Sequence, residues 1–256
     1  MKIGFLITAR LKSTRLPLKL LKQLNGYSVI DRVIQRAKRV DCDDIILCTS
    51  ENNQDLPLVR IALKSEIYSF NGDPDDVLDR LNKASELFNL DYAVCMTGDN
   101  PLFSVHYANL ITEKIRNNPD IDFIYTDDLP IGMNPYALRI KALKTICSIK
   151  EEVDTEIWGA LINRPDIFNV VKLEVDELDK IDIERMTLDE DMDYKLIYEI
   201  FEKFPRDYLI QESDIKNIIK RSPGLRKVNS SVIQRQLDQE TINRINRFFF
   251  KNKTLF

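Results

Sequence analysis

Short apolar runs at residues 3–8, 44–49, 66–70, 92–96 and 121–125 recur through the first half of this chain, with helical patterns between them. Runs that are apolar throughout, rather than alternating, read as strands buried on both faces, the environment of a parallel sheet. The stretches between them, at 29–40, 56–63, 75–88 and 105–116, space their apolar residues for helices; in the first these are Val29, Ile30, Val33, Ile34 and Ala37. Each such helix is expected to leave one polar face to solvent. Strand and helix in alternation predict an α/β fold, a mostly parallel sheet flanked by helices.

Past Leu129 the rhythm breaks. Residues 139–148 and 155–163 read as helical, 168–175 as extended and 191–203 as a strongly amphipathic helix. A small antiparallel excursion is expected within about 129–185, serving as a lid or a dimerisation arm. From Ser213 the pattern gives a helix, a turn at Pro223-Gly224, and a polar-rich helix over 231–249 that ends in three phenylalanines. An exposed aromatic end of that kind suggests self-association, hence a homodimer. The expected division is a main domain over 1–204 and a C-terminal helical extension over 205–256.

A chain of 256 residues with 44% hydrophobic content can bury a sizeable core, and its net charge of −4 gives no general electrostatic reason to hold nucleic acid or a membrane surface. No nucleic-acid partner and no membrane insertion are expected. Cys42, Cys48, Cys95 and Cys147 lack CxxC spacing and read as reduced, largely buried thiols. The first residues start a strand without the apolar core of a signal peptide, and no run approaches the ~18 apolar residues of a spanning helix, so the cytoplasm is the expected compartment. His106, the single histidine, has no ligand-like neighbours and reads as structural. The absence of GxSxG, HExxH, the Walker A lysine motif and GxGxxG argues against the hydrolase, zincin, P-loop and dinucleotide-binding classes.

The first strand runs straight into ARLKSTRLPLK, residues 9–19. Arg10, Arg15 and Lys19 then fall in the crevice at the carboxyl end of the sheet, where α/β folds bind ligands. Arginine forks match phosphate oxygens in pairs, lysine supplies a point charge, and Ser13 and Thr14 can donate hydroxyls, so a polyphosphate is the expected guest. Asp99, in TGDNPL, follows the fourth strand at the same edge, and Asp189, in MTLDEDMD, precedes a helix. Two carboxylates with phosphate oxygens and waters form the usual ligand set of Mg2+. Arg80, in GDPDDVLDR, could reach a nucleoside, or could pair with Asp76 four residues earlier while Asp75 caps the helix.

Taken together, ARLKSTRLPLKLL (9–21), IILCTS (45–50), GDPDDVLDR (72–80), TGDNPL (97–102), LPIG (129–132) and MTLDEDMDYKLI (186–197) resemble the cytidylyltransferase family. The likeness is greatest to its spore coat polysaccharide type, with the CMP-Kdo and CMP-sialic acid synthetases as cousins. That resemblance implies a glycosyltransferase-A-like nucleotidyltransferase fold and transfer of CMP from CTP to a sugar acid, with Mg2+ and release of pyrophosphate. It implies Arg10, Ser13, Arg15 and Lys19 as the triphosphate loop, Arg80 as a nucleotide contact, and Asp99 and Asp189 as metal carboxylates, with Arg15 and Lys19 also catalytic. The chain departs from many relatives at Lys12 and Leu18, where they have glycine, and at Tyr136, Glu156 and Trp158, where the acceptor pocket is expected. Open alternatives are an alditol phosphate or phosphonate acceptor, a glycosyltransferase-A-type glycosyltransferase, and a non-catalytic nucleotide-binding scaffold.

Overall fold

The computed structural model describes residues 1–151 and 154–251. A seven-stranded sheet has the order β5-β4-β1-β6-β8-β7-β9, formed by β1 (Ile3–Thr8), β4 (Asp44–Ser50), β5 (Tyr68–Gly72), β6 (Tyr92–Thr97), β7 (Phe123–Tyr125), β8 (Tyr136–Arg139) and β9 (Val170–Lys172). A separate antiparallel pair, β2 (Gln23–Leu24) and β3 (Tyr27–Ser28), follows the first loop. Among the described residues only β8 runs against its neighbours in the large sheet, pairing antiparallel with both β6 and β7. The antiparallel excursion after Leu129 is therefore a strand inserted in the main sheet, and β9 extends the same sheet beside β7.

Alternation along β1 sends Ile3, Phe5 and Ile7 into one core and Leu6 into the other, as the two-residue period of a strand requires. The first core is roofed by helices α1 (Val29–Ala37), α4 (Val105–Asn117), α7 (Asp191–Phe201) and α8 (Glu212–Arg221). The second lies beneath α3 (Val77–Leu87), α5 (Ile140–Ile149), α6 (Gly159–Ile162) and α9 (Gln239–Lys251). The remaining helix, α2 (Leu56–Lys64), covers the β4–β5 edge. Among the described residues no helix is long and apolar enough to cross a membrane.

Several local expectations change for physical reasons. The α1 helix does not leave a wholly solvated polar face: Arg32 and Arg36 are buried. Arg36 donates to the carbonyls of Phe103 and Ile210 at 2.7 Å each, and burial pushes its guanidinium down to about 10. Arg32 donates to the carbonyls of Leu24, Asn25 and Arg206. The returning chain after α7 is thus fastened to α1 through carbonyls, a partner that hydropathy patterns do not register. The helix expected over 155–163 shrinks to α6 because Thr155 is tied to α3, accepting from the Leu78 amide at 3.0 Å and donating to Asp76 at 2.9 Å. The last helix starts at Gln239 rather than 231, where Asp238 accepts from the amide and hydroxyl of Thr241. Its aromatic end is not wholly exposed: Phe249 is buried under Arg164, Phe248 is half-buried, and Phe250 faces solvent. Cys48 and Cys95 are buried, Cys42 and Cys147 half-buried, and all four are free, with burial pushing each thiol up.

Candidate active site

Connections leave β1 toward β4 on one side and reach β6 on the other, so the sheet order reverses between β1 and β6, and a crevice opens at their carboxyl ends. Thr8 is in register with both Cys48 and Thr97, which sets the loops after β1 and β6 side by side. The crevice is a cavity of about 320 Å3 bordered by the loop of residues 9–20, by Asp75 and Arg80, by Thr97 to Asp99, and by Asp189.

Lys19 begins a short 3-10 turn (Lys19–Leu21) and points its ammonium between the two aspartates. Its Nζ lies 2.5 Å from Asp99 Oδ2 and 2.9 Å from Asp189 Oδ1. Asp99 also accepts from the Thr97 hydroxyl at 2.5 Å, and its carbonyl accepts from the Leu188 amide at 3.0 Å, which fastens the approach to Asp189 onto the loop after β6. Arg15 lies 3.3 Å from Asp189 and 3.4 Å from Glu190. Burial alone would lower the Lys19 ammonium, but the Asp99 and Asp189 charges outweigh it and hold it above the usual lysine range. Burial alone would raise Asp189, yet Lys19, Arg15 and Arg185 hold it below the usual carboxylate range.

Three sequence blocks meet at Gly132. Its φ of +92° suits glycine, and a Cβ there would lie 2.7 Å from both Asn100 Oδ1 and the Thr187 amide nitrogen. This close approach lets the Ile131 carbonyl accept from the Met186 amide at 2.7 Å. LPIG therefore clamps TGDNPL to MTLDED and fixes the distance between the carboxylates.

The other expected residues are also at the crevice, with some changes of partner. Arg10 pairs with Asp75 at 3.0 Å and donates to the Pro74 carbonyl. Arg80 borders the cavity but does not pair with Asp76: it is 1% exposed and donates to the Asp73 carbonyl at 2.7 Å. Burial first, and the like charge of Arg10 second, lower its guanidinium. The α3 cap is Asp76, which accepts from the Asp79 amide, while Asp75 faces Arg10 and Lys12. Ser13 accepts weakly from the Leu16 amide at 3.4 Å. Leu18 occupies the left-handed region at φ 51°, the conformation for which glycine is the usual residue. Glu156 and Trp158 border the cavity, whereas Tyr136 stands behind Trp158, ring edge to face at 5.2 Å, and burial holds its hydroxyl protonated.

Sequence reasoning missed Arg185. It is 2% exposed and donates to Asp189 Oδ2 and Asp193 Oδ2 at 3.1 Å each, and to Gln234 Oε1 at 3.0 Å. Asp193 in turn accepts from Asn229 at 2.8 Å. A lone arginine before MTLD carries no signal of this, because besides Asp189 its partners are Asp193 of α7 and Gln234 of the distant C-terminal segment.

Among the described residues no group of three or more histidine, cysteine and acidic side chains could hold a metal. Two carboxylates that already converge on one ammonium do fit Mg2+, which takes one or two carboxylates and completes its shell with phosphate oxygens and water.

The chain matches the family described as Cytidylyltransferase over residues 5–222. It is 31% identical over 241 residues to an uncharacterized protein of Methanocaldococcus jannaschii, covering 92% of this chain and 97% of that one. It is 25% identical over 229 residues to the spore coat polysaccharide biosynthesis protein SpsF of Bacillus subtilis, covering 86% and 95%. A 3-deoxy-manno-octulosonate cytidylyltransferase of Fusobacterium nucleatum is 28% identical over 126 residues, covering 47% of this chain and 49% of that one. A solved cytidylyltransferase from Leptospira borgpetersenii shares the fold with a TM-score of 0.81 at 24% identity, covering 92% and 100%.

Proposed function

The chain belongs to the cytidylyltransferase family, and from that premise we propose that it transfers CMP from CTP to a sugar acid of the 3-deoxy-ulosonate or nonulosonate type, releasing pyrophosphate. One observation carries the reading: Asp99 and Asp189, far apart in sequence, meet on Lys19 at the cationic loop. The relatives named as 3-deoxy-manno-octulosonate cytidylyltransferase support a sugar acid as acceptor.

In this reading Arg10, Ser13, Arg15 and Lys19 bind the triphosphate and Arg80 lies toward the nucleoside. Asp99 and Asp189 would hold Mg2+, which when bound neutralises phosphate charge and lowers the pKa of an adjacent hydroxyl. The acceptor hydroxyl oxygen forms a bond to the α-phosphorus as the bond to the β-phosphate bridging oxygen breaks, and the hydroxyl proton passes to solvent. Arg15 and Lys19 hold the charge that develops on pyrophosphate, the role of cations placed where negative charge grows in the transition state. Lys19, which bridges the two carboxylates, would turn to the phosphates when the metal enters. Catalysis is then positioning and charge neutralisation, with no protein nucleophile.

The test is pyrophosphate release with Mg2+ and each nucleoside triphosphate against a panel of ulosonic acids and sugar or alditol phosphates. CTP with an ulosonic acid is expected to react. Exclusive reaction with another nucleotide, or with alditol phosphates, would overturn the reading.

A further inference from the structure

The nucleotide cavity does not end at Glu156 and Trp158. Asp154, Glu156 and Arg235 also border a second cavity of about 480 Å3, so the two spaces share a wall. A transferase with two substrates needs such an adjoining space. Arg235 comes from the C-terminal segment, beyond the span 5–222 that matches the family. That segment is anchored by Asn229 on Asp193, by Gln234 on Arg185, and by buried Val232. Its anchor is therefore the same Arg185 that holds Asp189.

We propose that the C-terminal segment builds the acceptor half of the site, with Arg235 receiving the single carboxylate of a polyhydroxylated sugar acid. The inference rests on the nucleotidyl-transfer reading and names the residue that selects the second substrate. In a 2-ulosonic acid the carboxylate is bonded to the same carbon as the attacking hydroxyl. It must then sit at the boundary between the two spaces, which is where Arg235 stands. Its guanidinium is 67% exposed and faces the comparably accessible Glu156 at 3.6 Å, a loose pair that an incoming carboxylate can replace. Glu151, Asp154, Glu156 and Asp238 line the second cavity against Arg235 and Arg244. Carboxylates accept hydrogen bonds from sugar hydroxyls but repel a dianionic phosphate, so this lining favours a polyol with one negative charge.

Trp158 is the single tryptophan and borders the nucleotide cavity, so its fluorescence reports occupancy without turnover. The full chain would be titrated with CTP, and then, with CMP present, with 3-deoxy-manno-octulosonate, N-acetylneuraminate and glycerol 3-phosphate. At least one acid is expected to bind more tightly than glycerol 3-phosphate. Arg235→Ala should weaken acid binding about 10-fold or more, the size of a lost charge-assisted hydrogen bond, and weaken CTP binding by a much smaller factor. Glu156→Gln should tighten it by removing the competing carboxylate. Equal acid affinity in Arg235→Ala, tighter binding of glycerol 3-phosphate, or a response to CTP with none to either acid would overturn the inference. Failure of CTP itself to bind would overturn the nucleotide reading instead.

Discussion

Replacing Lys19 by Met removes the ammonium that lies between Asp99 and Asp189 while keeping an unbranched apolar stem as far as Cε. The ammonium makes contacts of 2.5 and 2.9 Å with carboxylates that are 19% and 14% exposed. Two charge-assisted hydrogen bonds of ~1.5–3 kcal/mol each are lost, but partial solvation and the remaining Arg15 and Arg185 beside Asp189 reduce the net cost to ~2–3 kcal/mol. At ~2–4 °C per kcal/mol for a chain of this size, Lys19→Met should melt ~5–10 °C below the parent. The dependence on pH follows from the directions of the shifts. Asp189 is held low, so its contribution is present above the unfolded carboxylate value near ~3.9 and disappears as pH falls through its lower folded value. Lys19 is held high, so its contribution is complete below ~10.4 and disappears as pH rises through its higher folded value. The stability gap between parent and variant should therefore be flat across neutral pH and close in strong acid and strong alkali. Mg2+ should raise the melting temperature of the variant more than that of the parent, because in the parent it must displace the ammonium. Differential scanning calorimetry against pH and Mg2+ reads all three effects. A variant that melts within ~1 °C of the parent at pH 7 would show that the bridge is not formed.

Gly132→Ala must push its Cβ against the Thr187 backbone and Asn100; it should lose ~2 kcal/mol or more of stability in urea melts, with a fall in CTP-dependent turnover because the approach to Asp189 moves. Arg36→Met leaves the carbonyls of Phe103 and Ile210 without their donors, and a loss of ~2–4 kcal/mol is expected from the same melts. Leu18→Gly relieves a left-handed residue that is 53% exposed; a strain of ~1–2 kcal/mol less the entropy cost of glycine should leave it ~0.5–1 kcal/mol more stable.

The sheet was legible because β1, β4 and β6 are apolar without alternation, a pattern that half-solvated strands do not show and that runs this short rarely carry as helices. The position of the basic loop and of Asp99 followed from that alone, since both trail strands whose carboxyl ends share an edge. The nearness of Asp189 depended on the six-block resemblance, because nothing local announces that Leu188 will bond to the Asp99 backbone. Arg32, Arg36 and Arg185 were opaque because each is a charged residue buried by oxygens, and at least one partner of each arrives from far along the chain: Arg206 for Arg32, Phe103 and Ile210 for Arg36, and Gln234 for Arg185. The shortened α6 was likewise decided by a distant bond, at Thr155 on α3, whereas the late start of α9 is marked by the local Asp238–Thr241 cap, with Gln234 before it held on the distant Arg185. Arg235 lies outside the family's span, so neither pattern nor resemblance could direct attention to it.

Asp99 and Asp189 are central as the pair that would hold a divalent cation against the nucleotide, and Mn2+ offers a direct reading of that pairing. Water-proton relaxation with Mn2+ and CTP should show a bound Mn2+·CTP complex in the parent, weakened ~10-fold or more in both Asp99→Asn and Asp189→Asn while the melting curves stay cooperative. Parent-like binding of Mn2+·CTP by both variants would place the cation elsewhere and contradict the site described above.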